Sequence, residues 1–374
     1  MKRLVLVGGG HSHVEVLRAF GREPDPRIEL VLVSPDRYTP YSGMLPGWIA
    51  GHYTFADCHI DLAGLARFAN ARFIPMQVAG IAPADREVRL DDGTVLGYDA
   101  CSIDIGSAPP VSAIEGARAH AVPVKPVGAF IQALESMAID ARNGRALRMA
   151  LIGAGAAGVE VLLSVQHRLQ RDAPSAPISF SLITASPTIL PSHARRAREI
   201  FLRILRERQI VLITDFSVRS MDGSCIHAVD GNVVEADFIV IATGAEPASW
   251  PTASGIDTDP HGFIMIHDTL QTQSDPALFA AGDIASMPDR PYPKSGVYAV
   301  RQGPILAANL RNVLTNQPLA RYSPQRHALA LISTGYRYAV ASRGPWTLEG
   351  RWVWTWKDHI DRRFMNKYNR MPVH

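Results

Sequence analysis

The stretches "LVLVGGGHSHVEVLRAF" (residues 4–20) and "RMALIGAGAAGVEVLLSVQHRL" (residues 148–169) share one order of features. In each, a short apolar strand pattern runs into a group of glycines, and a helical pattern follows at once. A strand, a glycine turn and a helix in this order are typical of the first β–α unit of a Rossmann-like sheet. The free amides at the N-terminus of such a helix suit the diphosphate of a dinucleotide. The sequence therefore predicts two dinucleotide-binding units in one chain.

The two units begin two similar halves of the chain. Each half continues through a second Val/Ile-rich strand, a hairpin turn ("LDDGT" or "MDGS") and a returning strand that ends at Gly106 or at Gly244. Alternating strands and helices of this kind favour parallel sheets covered by helices. The predicted fold class is α/β, with two Rossmann-like domains, the second inserted in the first, and a C-terminal β-hairpin and helix. The predicted boundaries are residues 1–115 with 255–320, residues 116–254, and residues 321–374.

The second glycine group, "GAGAAG" at 153–158, is complete. Gly153 permits the tight turn, Gly155 lets the backbone approach a diphosphate, and Gly158 lets the helix pack closely on the strand. The first group keeps Gly8 and Gly10 but has His13 in the third position, so we expect the diphosphate approach to survive. His11 and His13 suit either a contact with the bound dinucleotide or a cap or core role.

Composition narrows the class of protein. The 374 residues are 47% hydrophobic and 20% charged, which is typical of a folded globular chain, and a net charge of +3 does not argue for nucleic-acid binding. No stretch has the length of a membrane span or a signal peptide, so the expected localisation is cytoplasmic. Three scattered cysteines without Cys-x-x-Cys predict neither disulfides, a thiol relay nor a metal site. Cys101 suits the core, whereas Cys58 suits either a loop or a reactive thiol.

A third segment, "DPALFAAGDIAS" (275–286), indicates which dinucleotide the first unit binds. With the two glycine groups and the "ATG" strand end, it resembles the FAD-dependent pyridine nucleotide oxidoreductase superfamily over residues 1–315. The resemblance implies FAD in the first unit, with Gly282 and Asp283 at its ribityl chain. It also implies NADH or NADPH in the second unit.

Neither ribose position carries the acid that selects NAD-type riboses. Ser34 stands at the end of the second strand in the first half, and Thr184 stands there in the second half. Arg195 and Arg196 follow in a helix whose pattern favours a solvated face. The preference between NADH and NADPH is therefore left open.

Four further segments are similar to the type II NADH dehydrogenase-like branch, in the subfamily also found fused to selenide, water dikinase. They are "PYSGMLPGWIAGHY" (40–53), "VPVKPVGAF" (122–130), "PKSGVYAVRQGP" (293–304) and "GRWVWTWKDHIDRRFMNKY" (350–368). The resemblance implies an FAD-dependent enzyme that takes a hydride from NAD(P)H and passes electrons to a quinone-like acceptor. The alternative is a flavoprotein redox module that serves selenium or sulfur metabolism or a protein partner.

Placement along the chain indicates which residues border the flavin. Relatives run the chain past the flavin just after the ribose strand, which here places Pro40, Tyr41, Ser42 and Gly43. Ser295 lies at the start of a helix whose N-terminal amides would face the reduced flavin. Lys294 and Lys125 are candidates for tuning the flavin by their charge, and an ordinary surface lysine is the rival interpretation for each.

The C-terminal segment is basic and aromatic. Residues 351–374 contain six Lys or Arg against two Asp. The sequence predicts a hairpin around Gly335, a strand at "GRWVWTW" (350–356) and a helix with Trp356, Ile360, Phe364 and Tyr368 on one side. An apolar stripe with basic flanks suits the inner face of the cell membrane as well as packing on the flavin domain or across a homodimer. We also expect this unit to border the flavin and to shape a pocket for a flat, apolar acceptor.

Overall fold

The first half of the chain builds a parallel sheet from strands that are distant in sequence. A computed structural model describes residues 1–370. The elements up to residue 103 are β1 (Lys2–Val7), α1 (His11–Arg22), β2 (Ile28–Val33), β3 (Tyr38–Pro40), α2 (Leu45–Ile49), α3 (Phe55–Cys58), β4 (His59–Asp61), α4 (Leu62–Phe68), β5 (Arg72–Ile74), β6 (Val78–Ala82), β7 (Glu87–Leu90), β8 (Val95–Gly97) and β9 (Ala100–Ile103).

The second half repeats the arrangement. Its elements are α5 (Ala117–His120), β10 (Ala121–Pro123), α6 (Val127–Arg142), β11 (Leu147–Ile152), α7 (Ala156–Asp172), β12 (Ile178–Ile183), α8 (Arg195–Glu207), β13 (Val211–Ile213), β14 (Val218–Met221), β15 (Cys225–Ala228), β16 (Val233–Glu235), β17 (Phe238–Ile241) and α9 (Trp250–Ala253).

The chain then returns to the first sheet and ends in a separate unit. The returning elements are β18 (Ile264–Met265), β19 (Leu278–Ala280), a 3-10 turn (Gly282–Ile284), β20 (Ala285–Ser286) and α10 (Gly296–Leu314). The terminal unit consists of β21 (Ala330–Ser333), β22 (Ala339–Arg343), β23 (Trp346–Gly350) and α11 (Arg351–Asn369).

Two five-stranded parallel sheets confirm the predicted fold class. Their orders are β19-β9-β1-β2-β5 and β10-β17-β11-β12-β13, so in both the glycine-turn strand lies between the returning strand and the second strand. The predicted hairpin turns each connect strands of a small antiparallel sheet, β6-β7-β8 or β14-β15-β16. Because β19 pairs with β9 after the second sheet has been completed, the second unit is inserted in the first. The domain boundaries given above stay a prediction.

The inner strands of each sheet are mostly buried, as their continuous apolar runs predict. In β1, residues Leu4 to Val7 are almost inaccessible to solvent and pair in parallel with β2 and β9. α1 packs against α10 and α4, and its buried residues share one hydrophobic core with the strands of this sheet. This packing holds the N-terminus of α1 at the carboxyl edge of the strands, where α/β proteins bind their ligands.

His13 is a core residue. The ring is fully buried; Nδ1 donates to the Gly8 carbonyl at 2.7 Å, and Nε2 accepts from Ser102 Oγ at 2.8 Å. Burial lowers the pKa of His13 to about 4, so the ring is neutral at pH 7. The residue that replaces the packing glycine therefore connects the glycine turn to β9 by hydrogen bonds.

The predicted strand at "GRWVWTW" is wrong. The hairpin around Gly335 is present as β21 and β22, but β23 ends at Gly350, and Arg351 begins a 19-residue helix. The alternating tryptophans imitate a strand period, whereas the buried residues in fact recur at helical spacing. They are Val353, Lys357, Asp361, Met365 and Tyr368.

The buried face of this helix lies one residue along from most of the predicted apolar stripe. Tyr368 is buried and Phe364 is half-buried, but Trp356 and Ile360 are 38% and 37% exposed. Trp352 is 55% exposed on the same outer side. The helix thus packs through its inner face and presents apolar side chains outward. Within residues 1–370, no helix combines the length and apolarity needed to cross a membrane.

We expect His13→Ala to lower the free energy of unfolding by about 2–4 kcal/mol, because it leaves a cavity and removes the partner of Ser102. Urea unfolding followed by circular dichroism measures the change. His227→Ala is the matched control, since its ring lies on the surface beside Asp222, and we expect a change below about 1 kcal/mol. Equal losses in the two variants would contradict the core role of His13.

Candidate functional site

Three aromatic rings meet where β3 ends. His11, the first residue of α1, lies edge-on to Tyr41 with ring centroids 5.6 Å apart, and Phe364 of α11 stacks on Tyr41 at 4.2 Å. The His11 ring donates a hydrogen bond to the Pro40 carbonyl. Its Nε2 is buried and has no hydrogen-bond partner within residues 1–370. Burial lowers the pKa of His11 to about 4, so this nitrogen stays uncharged.

An ion pair connects the two halves beside these rings. Lys125, which lies just before α6, places Nζ 3.3 Å from Asp283 Oδ2, and Ser107 Oγ donates to the same oxygen at 3.5 Å. Both charges act on the His11 ring: the Lys125 ammonium lowers its pKa further, and the Asp283 carboxylate opposes this. The structure therefore brings His11, Lys125 and Asp283 into one cluster.

The N-terminus of α10 faces the same cluster. Ser295 precedes the first residue of this helix, and a Cβ added to Gly296 would come within 2.8 Å of Ser42 Oγ and 3.9 Å of His11 Nδ1. Gly43 carries a carbonyl that accepts from Lys357 Nζ. The predicted loop of residues 40–43 thus lies against α1, α10 and α11.

Lys294 lies among residues of the first unit. Its Nζ donates to the Ala285 carbonyl and lies 4.0 Å from the centroid of the Phe263 ring. Burial lowers the pKa of Lys294 to about 8, and Asp259 and Asp283 oppose the shift. The ammonium is engaged in contacts within the first unit, and its effect on a flavin stays a prediction.

The glycine turn of the first unit contains a carboxylate that the sequence analysis missed. Asp104 Oδ2 accepts from the backbone N–H groups of Ser12 at 2.8 Å and His13 at 3.1 Å. A Cβ on Gly10 would lie 2.2 Å from this carboxyl group, and one on Gly282 would lie 2.4 Å from it. A comparison of "SIDIG" with the "IATG" of the second half would have signalled the residue.

The glycine turn of the second unit is open. A Cβ on Gly155 would meet nothing within 4 Å, whereas one on Gly158 would lie 1.8 Å from the Gly153 carbonyl oxygen. Gly158 therefore permits the close packing of α7 that the sequence predicts. Gly155 leaves room at the helix N-terminus for a bound group.

The two predicted ribose positions are buried at strand ends. Ser34 donates its N–H to Ile74, and Thr184 Oγ1 accepts from the N–H of Ser186 at 3.2 Å. Gly106 and Gly244 both have positive φ at the ends of their returning strands. Arg195 is paired with Glu199 on an exposed helix face, which confirms the solvated interpretation of that arginine.

A buried ion pair holds α11 against the candidate site. Lys357 Nζ lies 2.6 Å from Asp361 Oδ2, both side chains are more than nine-tenths buried, and the Tyr41 hydroxyl donates to Asp361. Glu160 of α7 accepts from the N–H of Ser333 in β21. Burial raises the pKa of Glu160 to about 7, and the Lys357 charge opposes the shift. These contacts join both nucleotide units to the C-terminal unit.

Two of the three cysteines, Cys58 and Cys101, are buried. Cys101 is fully buried in β9, as expected, and Cys58 is buried in α3 with a pKa that burial raises to about 12. A thiol with this pKa has almost no thiolate at pH 7 and is a poor nucleophile. The reactive interpretation of Cys58 is therefore wrong. Residues 1–370 contain no group of three or more His, Cys, Asp or Glu able to hold a metal ion.

Two glycine turns at the carboxyl edges of two parallel sheets are typical of proteins that bind two dinucleotides. A family model described as pyridine nucleotide-disulphide oxidoreductase matches residues 2–303. The chain belongs to that family. Its membership and fold confirm the resemblance derived from the motifs.

Several proteins are similar over most of the chain. The alternative NAD(P)H-ubiquinone oxidoreductase C1 of Arabidopsis thaliana is 23% identical over 91% of this chain and 72% of its own length. A sulfide:quinone oxidoreductase structure from Aquifex aeolicus superposes with a TM-score of 0.83 at 19% identity, covering 99% of this chain and 92% of the other. The NDH2 structure from Plasmodium falciparum gives 0.79 at 15% identity and covers both chains completely. At these identities the structures establish the fold.

We expect Gly155→Leu to fold with parental stability and to bind NADH at least tenfold more weakly, because the new side chain fills the open turn. Gly158→Ala is the comparison: its Cβ meets the Gly153 carbonyl, so it should lower the free energy of unfolding by about 2 kcal/mol or more. Urea unfolding and fluorescence titration with NADH measure the two effects. Unchanged NADH affinity in Gly155→Leu would exclude this turn as the binding site.

Proposed function

We propose that the protein is an FAD-dependent oxidoreductase that takes two electrons from NADH or NADPH and passes them to a quinone-like acceptor. The observation that carries the proposal is the stack of Phe364 on Tyr41 beside His11. It gives the predicted flavin cluster an aromatic outer wall, and that wall is supplied by the helix with exposed tryptophans. A flat apolar molecule suits such a wall.

The residues of the first unit fit a bound FAD. His11 Nε2 is a buried polar atom without a partner in the described residues 1–370, and the N-terminus of α10 lies beside the His11 ring. We assign Asp283 and Lys125 to the polar side of the flavin and Tyr41 to its ring system. When bound, FAD supplies the two-electron chemistry, and the protein supplies binding, orientation and charge.

NAD(P)H is assigned to the second unit. The open turn at Gly155 and the N-terminus of α7 suit its diphosphate. Thr184 offers a hydroxyl, not a carboxylate, at the ribose. An antiparallel bridge between Ala108 and Glu246 joins the segments that follow the returning strands of the two units. We therefore assign NAD(P)H on the second unit to the side that faces the first unit.

The cysteine arrangement argues against thiol chemistry. The high pKa of Cys58 and the core position of Cys101 leave neither residue suited to a relay between substrate and flavin. This favours direct electron transfer to a small acceptor over a disulfide or sulfide reaction.

We expect Phe364→Ala to reduce the rate of quinone reduction about tenfold and to leave flavin reduction by NAD(P)H unchanged, because only the acceptor uses the aromatic wall. Stopped-flow absorbance of the flavin resolves the two half-reactions, with a soluble ubiquinone analogue and with ferricyanide as acceptors. Trp346→Ala, on an exposed strand, is the control. Parental quinone reduction by Phe364→Ala would overturn the proposed acceptor site.

We further propose that the outer side of α11 contacts a membrane surface. Trp352, Trp356 and Ile360 form an exposed stripe, and the exposed Arg363 and Arg370 flank it. Aromatic side chains with neighbouring arginines suit the interface of an anionic bilayer. A quinone dissolved in that bilayer would then reach the wall formed by the inner side of the same helix.

A variant with Trp352→Ser, Trp356→Ser and Ile360→Ser should lose co-sedimentation with anionic phospholipid vesicles. The matched control changes Val229→Ser and Val233→Ser, two exposed apolar side chains on another unit, and should bind as the parent does. Binding of the parent should weaken as salt rises from about 0.1 M to 0.5 M, since screening reduces the attraction of the arginines. Equal sedimentation of all three proteins would exclude this surface.

A further inference from the structure

The two glycine turns can be compared residue by residue because their backbones are equivalent. Asp104 donates its N–H to the Val7 carbonyl, and Ala242 donates to Ile152 in the same way. A Cβ on Gly8 would strike the Asp104 carbonyl oxygen, and one on Gly153 would strike Ala242. Asp104 and Ala242 therefore occupy the same place in the two units.

The two turns differ in the side chain at this position, which is Asp104 in the first unit and Ala242 in the second. Asp104 is 2% exposed, and its carboxyl group receives two N–H groups from the first turn of α1. Those amides are the groups that a diphosphate uses at a helix N-terminus. In the second unit Ala242 carries only a methyl group, and the space at Gly155 is open. The side chain of Asp104 therefore occupies one of the two proposed diphosphate positions.

Little positive charge surrounds this acid. His11 and His13 of α1 are neutral, and Gln302 of α10 is uncharged and accepts from the Gly282 N–H. Asp283, which follows β19, adds a second negative charge. Its carboxylate is paired with the ammonium of Lys125, the residue just before Pro126 and α6. Burial raises the pKa of Asp104 to about 7; the N–H groups of His13 and Ser12 oppose the shift, and Asp283 adds to it.

We propose that Asp104 is protonated whenever FAD is bound, so that binding of the flavin nucleotide takes up one proton at this side chain. The physical reason is that a diphosphate and a carboxylate at the same end of one helix repel each other in a region shielded from water. A neutral carboxyl group removes the repulsion and still accepts an N–H through its carbonyl oxygen. The inference rests on the assignment of FAD to the first unit.

The sign of the pH dependence follows from this linkage. Without FAD, burial raises the pKa of Asp104 to about 7, and a bound diphosphate would raise it further because it is negatively charged. Well below pH 7 the group is neutral in both states, and the affinity is constant. Above pH 7 the dissociation constant of FAD should rise by up to tenfold per pH unit, which amounts to at most about 30-fold at pH 8.5.

Equilibrium release of FAD from the diluted holoprotein, followed by flavin fluorescence between pH 6 and 9, measures this dependence. Asp104→Asn should abolish the slope and bind FAD more tightly than the parent at pH 8.5. Asp289→Asn, an exposed acid on the segment before α10, should keep the parental slope. A pH-independent dissociation constant in the parent protein would falsify the proposal.

Calorimetry on the parent protein gives a second readout that needs no variant. Titration of FAD at pH 8 in phosphate and in Tris, whose ionisation heats differ, counts the protons taken up; about one is expected, and none would overturn the inference. If the protein binds no FAD at any pH, the proposed function fails as well. If it binds FAD without proton uptake, only the role of Asp104 fails.

The equivalent position in the second unit provides a matched gain-of-charge variant. Ala242→Asp should make NADH affinity fall as pH rises and should leave the pH profile of FAD binding unchanged. A purely structural role of Asp104 predicts a change in stability in Asp104→Asn with the slope retained, and that result counts against proton uptake.

Discussion

Both nucleotide units depend on one backbone contact that only glycine permits. At Gly8 and Gly153 the chain turns with positive φ, and a Cβ at either position would lie within 3 Å of the returning strand. This contact holds the helix N-terminus directly above the sheet edge. The strand that enters the turn is the middle strand of each sheet, so this contact places both candidate sites at the centre of the carboxyl edge.

We assign two roles to the C-terminal helix, the acceptor wall on its inner side and the membrane contact on its outer side. Its inner side contains a buried Lys357–Asp361 pair that reaches Gly43 and Tyr41, and it places Phe364 at the candidate flavin site. Removing one partner of such a pair is costly, since the remaining charge stays buried alone. Deletion of the whole helix would therefore disturb the fold together with the acceptor side, and single substitutions on each side separate the two roles.

The two glycine turns have equivalent backbones but differ in the side chains that surround them. The second unit keeps a small residue at Ala242 and an open turn, whereas the first places a carboxyl group and an imidazole in the corresponding positions. His13 adds hydrogen bonds to the turn without charge. Asp104 adds a carboxyl group whose pKa burial raises to about 7, and we propose that its charge also depends on what the turn binds.

The sequence by itself determined the two β–α units and the parallel sheets, and the insertion of one unit in the other was predicted with the help of the family resemblance at residues 275–286. The units and sheets depend on local signals, namely apolar runs, glycines at turns and helical spacing, which need no knowledge of distant residues. The α11 register was misread because its alternating tryptophans resemble a strand, and because a buried Lys and Asp do not register as a core face. Only the tertiary structure decided that face, as well as the meeting of Asp104 with Ser12, 92 positions apart, and of Lys357 with Gly43, 314 positions apart. Contacts at such separations arise from packing, and packing sets the charge and the aromatic wall of the candidate site.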